Sequence, residues 1–406
     1  MTGRAAARLA ALGVLAVTLA ACSSSPSATG SGTSAVLPPA QVVSGATGSW
    51  ATVVMGHLDD PLNTFGELLY RPGGPACPGP VPCAPQAWSL ATPAGVASNG
   101  GLFATLATGG TLTVGFGVSL DLTFSPLAAT ADQGATWSTG VLPAGLVPVT
   151  DALAASGTAG APARLALVST GGGEVLSSSG DLSTWAVMAR RRAVASVAAA
   201  SGCGVEPLTA VAIAPSGVDL VATTCGSGGR AGIFRIGSAG TAGAVTPVGP
   251  VLPGPVTAPL RVERLVATPA GLTALVVAGS GRSRRLYLAT SDDDTATWTV
   301  SAPLATSGSV VASSVDPAAG TVVVLDAGGH RTAATVAPGT PWTTLPGLPA
   351  GTSVVAGGPG AVFSALIPSG STVTVDVLSG GTWIRNQLLA VPIQYGSTGA
   401  GGGGSS

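Results

Sequence analysis

The sequence contains no lysine, and all sixteen of its basic residues are arginine. Aromatic residues make up only 4% of the 406 residues and charged residues only 8%, whereas 46% are hydrophobic. A composition this apolar is typical of a folded, core-rich protein and excludes an intrinsically disordered one. The formal net charge is −1 and the pI is near 6.1. We expect no nucleic-acid partner, because the excess of positive charge that binds a polyanion is missing.

Histidine is almost absent, since His57 and His330 are the only two. A Ser/His/Asp triad or a multi-histidine metal site therefore has almost no residues to draw on. The three aspartates at 292–294 are candidate calcium ligands, but the stretch lacks the glycine and the terminal glutamate of an EF-hand loop. We predict that the protein uses no cofactor and no metal.

Glycine (61 residues) and proline (32 residues) are abundant, which favours many short strands joined by tight turns. Tryptophan recurs at 50, 88, 137, 185, 298, 342 and 383, and from 88 onward it tends to open a short segment that ends in proline. A similar segment without tryptophan lies near residue 245. The resulting spacing of about 40–60 residues is the period of a four-stranded propeller blade.

Apolar runs fall in a fixed order before several of these Trp segments. A run that ends in a Pro/Gly turn, such as RLVATPAG, is followed by LTALVVAG, then by RRLYLATS, and finally by the Trp segment. These runs predict the four strands of one blade. The sequence therefore predicts an all-β fold, a seven-bladed β-propeller of four-stranded antiparallel blades over residues 45–397, with a six-bladed ring as the alternative.

The ends of the predicted ring need a closing strand. The first repeat is one strand short, and the run AVPIQYGS near the C-terminus has no repeat of its own. We expect this run to pair into the first blade, because closure removes the unpaired edges of the sheets. Residues 398–406 are rich in Gly and Ser and are expected to form a disordered tail.

The N-terminus has the features of an export signal. Arg4 and Arg8 precede an apolar run at 9–21, which is too short to span a bilayer permanently. Residues 19–22 read LAAC and resemble the lipobox of bacterial lipoproteins, in which the cysteine sulfur receives diacylglycerol. The resemblance implies a signal peptide at 1–21, lipidation of Cys22, a flexible tether at 22–44, and attachment to the extracytoplasmic face of the cell membrane. A plain secretory signal is the alternative.

Four cysteines remain after Cys22 and form two local pairs. Cys77 and Cys83 flank a proline-rich loop, and Cys203 and Cys225 lie farther along the chain. An even number of cysteines in an exported chain favours disulfides. Neither spacing matches the Cys-x2-Cys knuckle of a zinc site, so we predict the bonds Cys77–Cys83 and Cys203–Cys225.

Two stretches of eight residues share a motif, TADQGATW at 130–137 and SDDDTATW at 291–298. They resemble the Asp-box, Ser/Thr-x-Asp-x-Gly-x-Thr-Trp, of the BNR/sialidase-like β-propellers. The matching residues are Thr130, Asp132, Gly134, Thr136 and Trp137 in the first copy, and Ser291, Asp293, Thr297 and Trp298 in the second, where Thr295 replaces the glycine. The resemblance implies a hairpin between the third and fourth strands of a blade. Such side chains can satisfy turn amides and pack between strands, so we predict an architectural role.

The catalytic residues of the sialidases are harder to place. The resemblance implies a three-arginine clamp, a Tyr/Glu nucleophile pair and an Asp acid/base. No glutamate follows Glu263, although the nucleophile's partner is expected in the last third of the chain. Candidates for the acid are Asp59 and Asp60, and candidates for the clamp are Arg71, Arg235, Arg264, Arg285 and Arg331.

Two function classes follow from this reading. The favoured one is a non-catalytic binding or scaffolding lipoprotein that acts as a monomer and holds a glycan, a peptide or an envelope protein with its central or top-face loops. The competing one is a glycoside hydrolase of the sialidase type. The two classes differ in whether three arginines, a tyrosine and a carboxylate converge at the centre of the ring.

Overall fold

The protein is described here from a computed structural model. Within the compact unit Ser34–Ser406, the structure describes residues 40–45, 47–56, 64–73, 86–93, 102–106, 110–116, 127–139, 150–158, 161–179, 184–237, 245–268, 270–292, 295–316, 320–358 and 362–392. Cys22, Asp59, Asp60, Cys77, Cys83, Asp293 and the run 393–397 lie outside the described residues, so the predictions that concern them stay predictions.

The described chain is almost entirely β-structure. Its helices are α1 (Arg191–Ala195) and two 3-10 turns (Thr170–Gly172 and Ala198–Ala200). Among the described residues, no helix is both long enough and apolar enough to cross a membrane.

The strands form successive antiparallel sets of four, which are called units below. The first three units are β1 (Ala40–Gly45), β2 (Gly48–Gly56), β3 (Thr64–Pro72) and β4 (Ser89–Leu90); β5 (Leu102–Leu106), β6 (Leu112–Phe116), β7 (Leu127–Thr130) and β8 (Ser138–Thr139); and β9 (Thr150–Thr158), β10 (Ala161–Ser169), β11 (Glu174–Ser179) and β12 (Trp185–Arg190).

The later units follow the same order. They are β13 (Val205–Ile213), β14 (Asp219–Cys225), β15 (Ile233–Ile236) and β16 (Thr246–Pro247); β17 (Leu260–Thr268), β18 (Gly271–Ala278), β19 (Arg284–Ser291) and β20 (Thr299–Val300), with β21 (Leu304–Thr306) also pairing with β19; β22 (Ser309–Asp316), β23 (Gly320–Ala327), β24 (His330–Val336) and β25 (Thr343–Thr344); and β26 (Val354–Ala356), β27 (Ser364–Ser369), β28 (Thr372–Ser379) and β29 (Thr382–Ala390). The runs predicted as first, second, third and fourth strands occupy these positions.

The middle strands are buried on both faces, which explains their continuous apolar sequences. Along β18, Leu272, Ala274 and Val276 pack into one hydrophobic cluster with the fourth unit. Leu275 and Val277 point the other way, into a cluster with β23 of the sixth unit. Successive side chains of a strand point to opposite faces, so a sheet packed between two others needs apolar residues throughout. This stacking of four-stranded antiparallel sheets is that of a propeller blade between its neighbours.

Tryptophans near the start of the fourth strand complete these clusters. Five of them are partly buried, and each packs at the margin of a different cluster: Trp137, Trp185, Trp298, Trp342 and Trp383. The large ring covers the outer part of the sheet, where the fourth strand itself is only two residues long in most units.

The first strands of the units lie next to one another around a central channel. β1 contacts β5, β5 contacts β9, β9 contacts β13 and β13 contacts β17. The fold is a β-propeller. Two of the first strands, β1 and β22, also pair with each other in parallel, with Gln41 opposite Ser313. The short strand β26 contacts both β1 and β22 there. The number of blades in the ring stays a prediction.

The N-terminal boundary differs from the predicted one. β1 begins at Ala40, so the last residues assigned to the tether are part of a sheet. The stretch was overlooked because only AQVVSG follows a Pro/Ser-rich segment, too short a run to stand out. With β1 in place the first unit has four strands of its own, and the prediction that it lacks a strand is wrong. The first and seventh units meet at Gln387, whose side-chain amide donates to the Trp88 carbonyl at 2.7 Å and accepts from the Trp88 N–H at 2.9 Å.

The disulfide Cys203–Cys225 is present, as the cysteine pairing predicts. It joins the loop before β13 to the end of β14, and the Cys225 side chain is fully buried. Mass spectrometry of the non-reduced protein should therefore show this linkage. Reduction should lower the free energy of unfolding by about 3 kcal/mol, as expected for a closed loop of some twenty residues. Equal urea midpoints with and without reductant would contradict this.

Candidate functional site

The first Asp-box lies in the hairpin between β7 and β8. The Gly134 N–H donates to Thr130 Oγ1 (2.9 Å), and the Thr136 N–H donates to Asp132 Oδ1 (2.9 Å). The Thr136 hydroxyl donates to Asp132 Oδ2 (2.5 Å), and the Thr130 hydroxyl to Asp132 Oδ1 (2.8 Å). Gly134 has a φ of 90°, which glycine adopts without strain. Both carboxylate oxygens of Asp132 are therefore engaged within the turn.

These hydrogen bonds lower the pKa of Asp132 from 3.8 to about 2, with the Thr136 hydroxyl as the largest cause. A carboxyl with a depressed pKa stabilises the fold above its ordinary pKa and loses that contribution as the pH falls through the lowered value. Asp132→Ala should lower the melting temperature at neutral pH. The difference in melting temperature between Asp132→Ala and the wild type should narrow as the pH falls from 3.8 to about 2. A difference that stays constant across this range would show that the charge of Asp132 does not stabilise the turn.

The second Asp-box repeats one of these contacts. The Thr295 N–H donates to Ser291 Oγ at 3.0 Å, which corresponds to the bond from Gly134 to Thr130. Thr295 replaces the glycine and yet keeps a positive φ of 78°, an unusual conformation for a β-branched residue. Its hydroxyl accepts a hydrogen bond from Arg235 (3.1 Å), and the Trp298 indole donates to the Val248 carbonyl (2.7 Å). Thr297 is exposed.

The five arginines considered for a sialidase clamp have separate surroundings. Arg71 is buried between the first and seventh units, Arg235 contacts Thr295, and Arg264 lines the central channel. Arg285 donates to the Pro255 carbonyl, and Arg331 contacts Asp326 and the Thr352 carbonyl. The structure does not bring these five side chains together.

The described tyrosines lie within the sheets. Tyr70 is 5% exposed and donates its hydroxyl to the Thr47 carbonyl at 2.7 Å. Tyr287 is fully buried and donates to the Pro253 carbonyl at 3.4 Å. Neither side chain is among the residues that line the channel.

The central channel is the candidate site. Residues of β1, β5, β9, β13 and β17 line it, and its cavity volume is about 100 Å³. Most of the lining is apolar or small, and the charged residues all come from β17: Arg261, Glu263 and Arg264. Within the described chain, no three His, Cys, Asp or Glu side chains are grouped so that they could hold a metal ion.

A β-bulge directs Arg264 into the channel. Val262 pairs with Val276, but Arg264 pairs with Leu275, so Glu263 is the extra residue. Strict alternation from Val262 would place Arg264 in the core of the sheet, whereas the bulge puts Leu265 there. Arg264 donates to Ser313 Oγ at 3.2 Å. Although water still reaches part of the side chain, burial lowers the pKa of Arg264 to about 10, and the guanidinium stays charged at neutral pH.

Glu263 and Arg261 form an ion pair beside Arg264. Arg261 Nε lies 3.2 Å from Glu263 Oε1. Burial raises the pKa of Glu263, and the charges of Arg261 and Arg284 oppose that rise. Two arginines and one glutamate leave one net positive charge on the channel wall.

Gln41 supplies a second donor on the wall. Its side chain is 7% exposed, and among the described residues its Nε2 has no hydrogen-bond partner. Gln41 was not among the predicted site residues, because it lies in the predicted tether. Arg264 was predicted only as a candidate for a sialidase clamp. The signal that could have revealed this part of the site is RVERL, which has three charged residues in five, whereas the equivalent strands in the other units carry at most one.

No protein-family model and no curated protein matches the sequence. Solved structures do show a likeness. YCF48 from Cyanidioschyzon merolae matches at 12% identity over 86% of this chain and 95% of that one, with a TM-score of 0.43. A mutant Aleuria aurantia lectin in complex with α-methyl-L-fucoside matches at 14% identity over 88% and 97%, with a TM-score of 0.39. YCF48 bound to D1 peptide matches at 15% identity over 64% of this chain and 65% of that one, just under two thirds, with a TM-score of 0.32. The BNR/sialidase-like resemblance has no matching family model.

Proposed function

We propose that the protein is a non-catalytic binding lipoprotein that holds a glycan, a peptide or an envelope protein at the centre of its propeller. The observation that supports this most is the channel wall. The buried amide of Gln41 and the guanidinium of Arg264 face a cavity. Together they carry more hydrogen-bond donors than the neighbouring groups accept. Buried donors are normally satisfied, so a ligand that accepts hydrogen bonds fits this wall.

The proposed anchor places this site close to the membrane. Residues 23–39 separate Cys22 from β1. Seventeen residues span at most about 60 Å when fully extended. A lipid on Cys22 would therefore keep the channel within reach of ligands in the cell envelope.

Capture of envelope components tests the channel as the binding site. Thr105 lies on β5 in the channel wall, and Thr105→Trp fills much of the cavity. Thr344→Trp, on the exposed strand β25, is the matched control. Wild type and Thr344→Trp should retain the same component of a solubilised envelope extract, and Thr105→Trp should not. Equal retention by all three would place binding elsewhere on the protein.

A turnover assay separates the two function classes. The purified protein should release no fluorogenic leaving group from a sialoside. A retaining sialidase needs a nucleophile with a neighbouring base and an acid near the leaving oxygen. Turnover that is lost in Tyr287→Phe would replace the binding proposal with the glycosidase one.

A further inference from the structure

Three strands bring polar side chains together at the channel wall, and two of these residues, Gln41 and Arg264, line the cavity itself. Gln41 on β1 and Ser313 on β22 are register partners in a parallel ladder. Neighbouring strands are about 4.8 Å apart, and register partners project to the same face. Arg264 on β17 reaches the same place, because its Nη1 donates to Ser313 Oγ at 3.2 Å. The Gln41 amide and the Arg264 guanidinium therefore flank the Ser313 hydroxyl.

This point is rich in donors and poor in acceptors. Gln41 Nε2 is buried without a partner among the described residues. The bond to Ser313 is the hydrogen bond that the structure gives for the Arg264 side chain, and no carboxylate lies within 4.0 Å of its guanidinium in the described part of the chain. The Ser313 side chain is itself shielded, since the residue is 3% exposed.

The neighbouring acid does not supply the missing acceptor. Glu263 is paired with Arg261 at 3.2 Å. Its charge is balanced there, and the charge of Arg264 is left without a counter-ion in the wall. Desolvation is the cause that lowers the pKa of Arg264. An anion bound beside Arg264 would offset that desolvation.

We propose that Gln41, Ser313 and Arg264 bind a small oxyanion, a carboxylate, phosphate or sulfate group carried by the ligand. This inference rests on the proposed function and names the chemistry of its site. The cavity of about 100 Å³ admits a group of that size, so the rest of a larger ligand remains at the channel mouth. Arginine and amide donors are well suited to oxyanions, since their N–H groups can each address a separate oxygen.

The test uses the full-length protein in detergent with acetate, inorganic phosphate and sulfate as probes. Sodium chloride at matched ionic strength controls for screening, and acetamide controls for an uncharged acceptor. At about ten times its dissociation constant, a bound anion should raise the melting temperature by roughly 2 °C in a saturable manner. Acetate as the strongest probe identifies a carboxylate, whereas phosphate or sulfate identifies a tetrahedral group.

Two variants locate the response. Arg264→Met should weaken anion binding at least tenfold. Gln41→Glu keeps the shape of the side chain and places a carboxylate beside Arg264, so it should abolish the anion-induced shift without lowering the starting melting temperature. Because Gln41→Glu preserves the packing, it still tests whether the anion binds at this site if Arg264→Met does not fold. Arg191→Met, an exposed arginine on α1, should respond like the wild type.

The proposal is overturned if no oxyanion raises the melting temperature more than chloride does, or if Gln41→Glu responds like the wild type. Failure of the oxyanion site and failure of the proposed function give different experimental results. If Thr105→Trp loses the envelope component and Gln41→Glu retains it, the oxyanion site is wrong and the binding channel stands. If oxyanions bind and Thr105→Trp still retains the component, the site stands and the proposed function is wrong.

Discussion

Arg71→Met should lower the free energy of unfolding by about 3 kcal/mol, because it removes a buried charge with several partners. Arg71 Nη2 donates to the Gly357 carbonyl at 2.7 Å and to Ser49 Oγ at 3.2 Å, and Nη1 donates to Ser364 Oγ at 3.4 Å. Its guanidinium carbon also lies 4.8 Å from the centre of the Trp88 ring. These contacts join the first unit to the seventh.

Arg71→Met keeps most of the side-chain volume. The decrease in the free energy of unfolding therefore measures the loss of the charge and its hydrogen bonds. Burial lowers the pKa of Arg71, and the charge of Asp316 opposes that effect. Without the arginine, the Gly357 carbonyl loses a donor and Asp316 loses a nearby cation. Urea unfolding measures the effect, with Arg191→Met as the exposed control. A loss no larger than that of the control would show that Arg71 does not hold the two units together.

Cys22→Ala should move the protein from the membrane fraction to the soluble fraction and abolish its labelling by radioactive fatty acid. The proposed anchor is the lipid on Cys22, because a diacylglycerol supplies the buried hydrocarbon that holds a protein at a bilayer. Ser23→Ala is the matched control and should stay in the membrane fraction. Membrane retention of Cys22→Ala in high-salt buffer would contradict lipid anchoring through Cys22.

The repeated part of the fold was predictable from sequence. The runs RLVATPAG, LTALVVAG and RRLYLATS correspond to β17, β18 and β19, because strands buried on both faces need unbroken apolar residues and Gly or Pro turns separate them. The disulfide Cys203–Cys225 followed from the parity and spacing of the cysteines. Local sequence carries both signals.

The channel could not be predicted in the same way. Gln41 reaches the site because β1 pairs with β22, about 270 residues later in the chain. A short run after a Pro/Ser-rich segment does not predict such a distant pairing. Arg264 faces the channel because of a bulge at Glu263, which shifts the alternation by one residue. Both placements depend on tertiary contacts between distant strands.

Binding at the propeller centre without turnover can be measured by isothermal titration with the envelope component that the wild type retains. We expect saturable binding of one ligand per protein, at least tenfold weaker affinity for Thr105→Trp and unchanged affinity for Thr344→Trp. The ligand should be recovered chemically intact after prolonged incubation. Equal affinities for the two variants, or conversion of the ligand into a product, would contradict non-catalytic binding at the propeller centre.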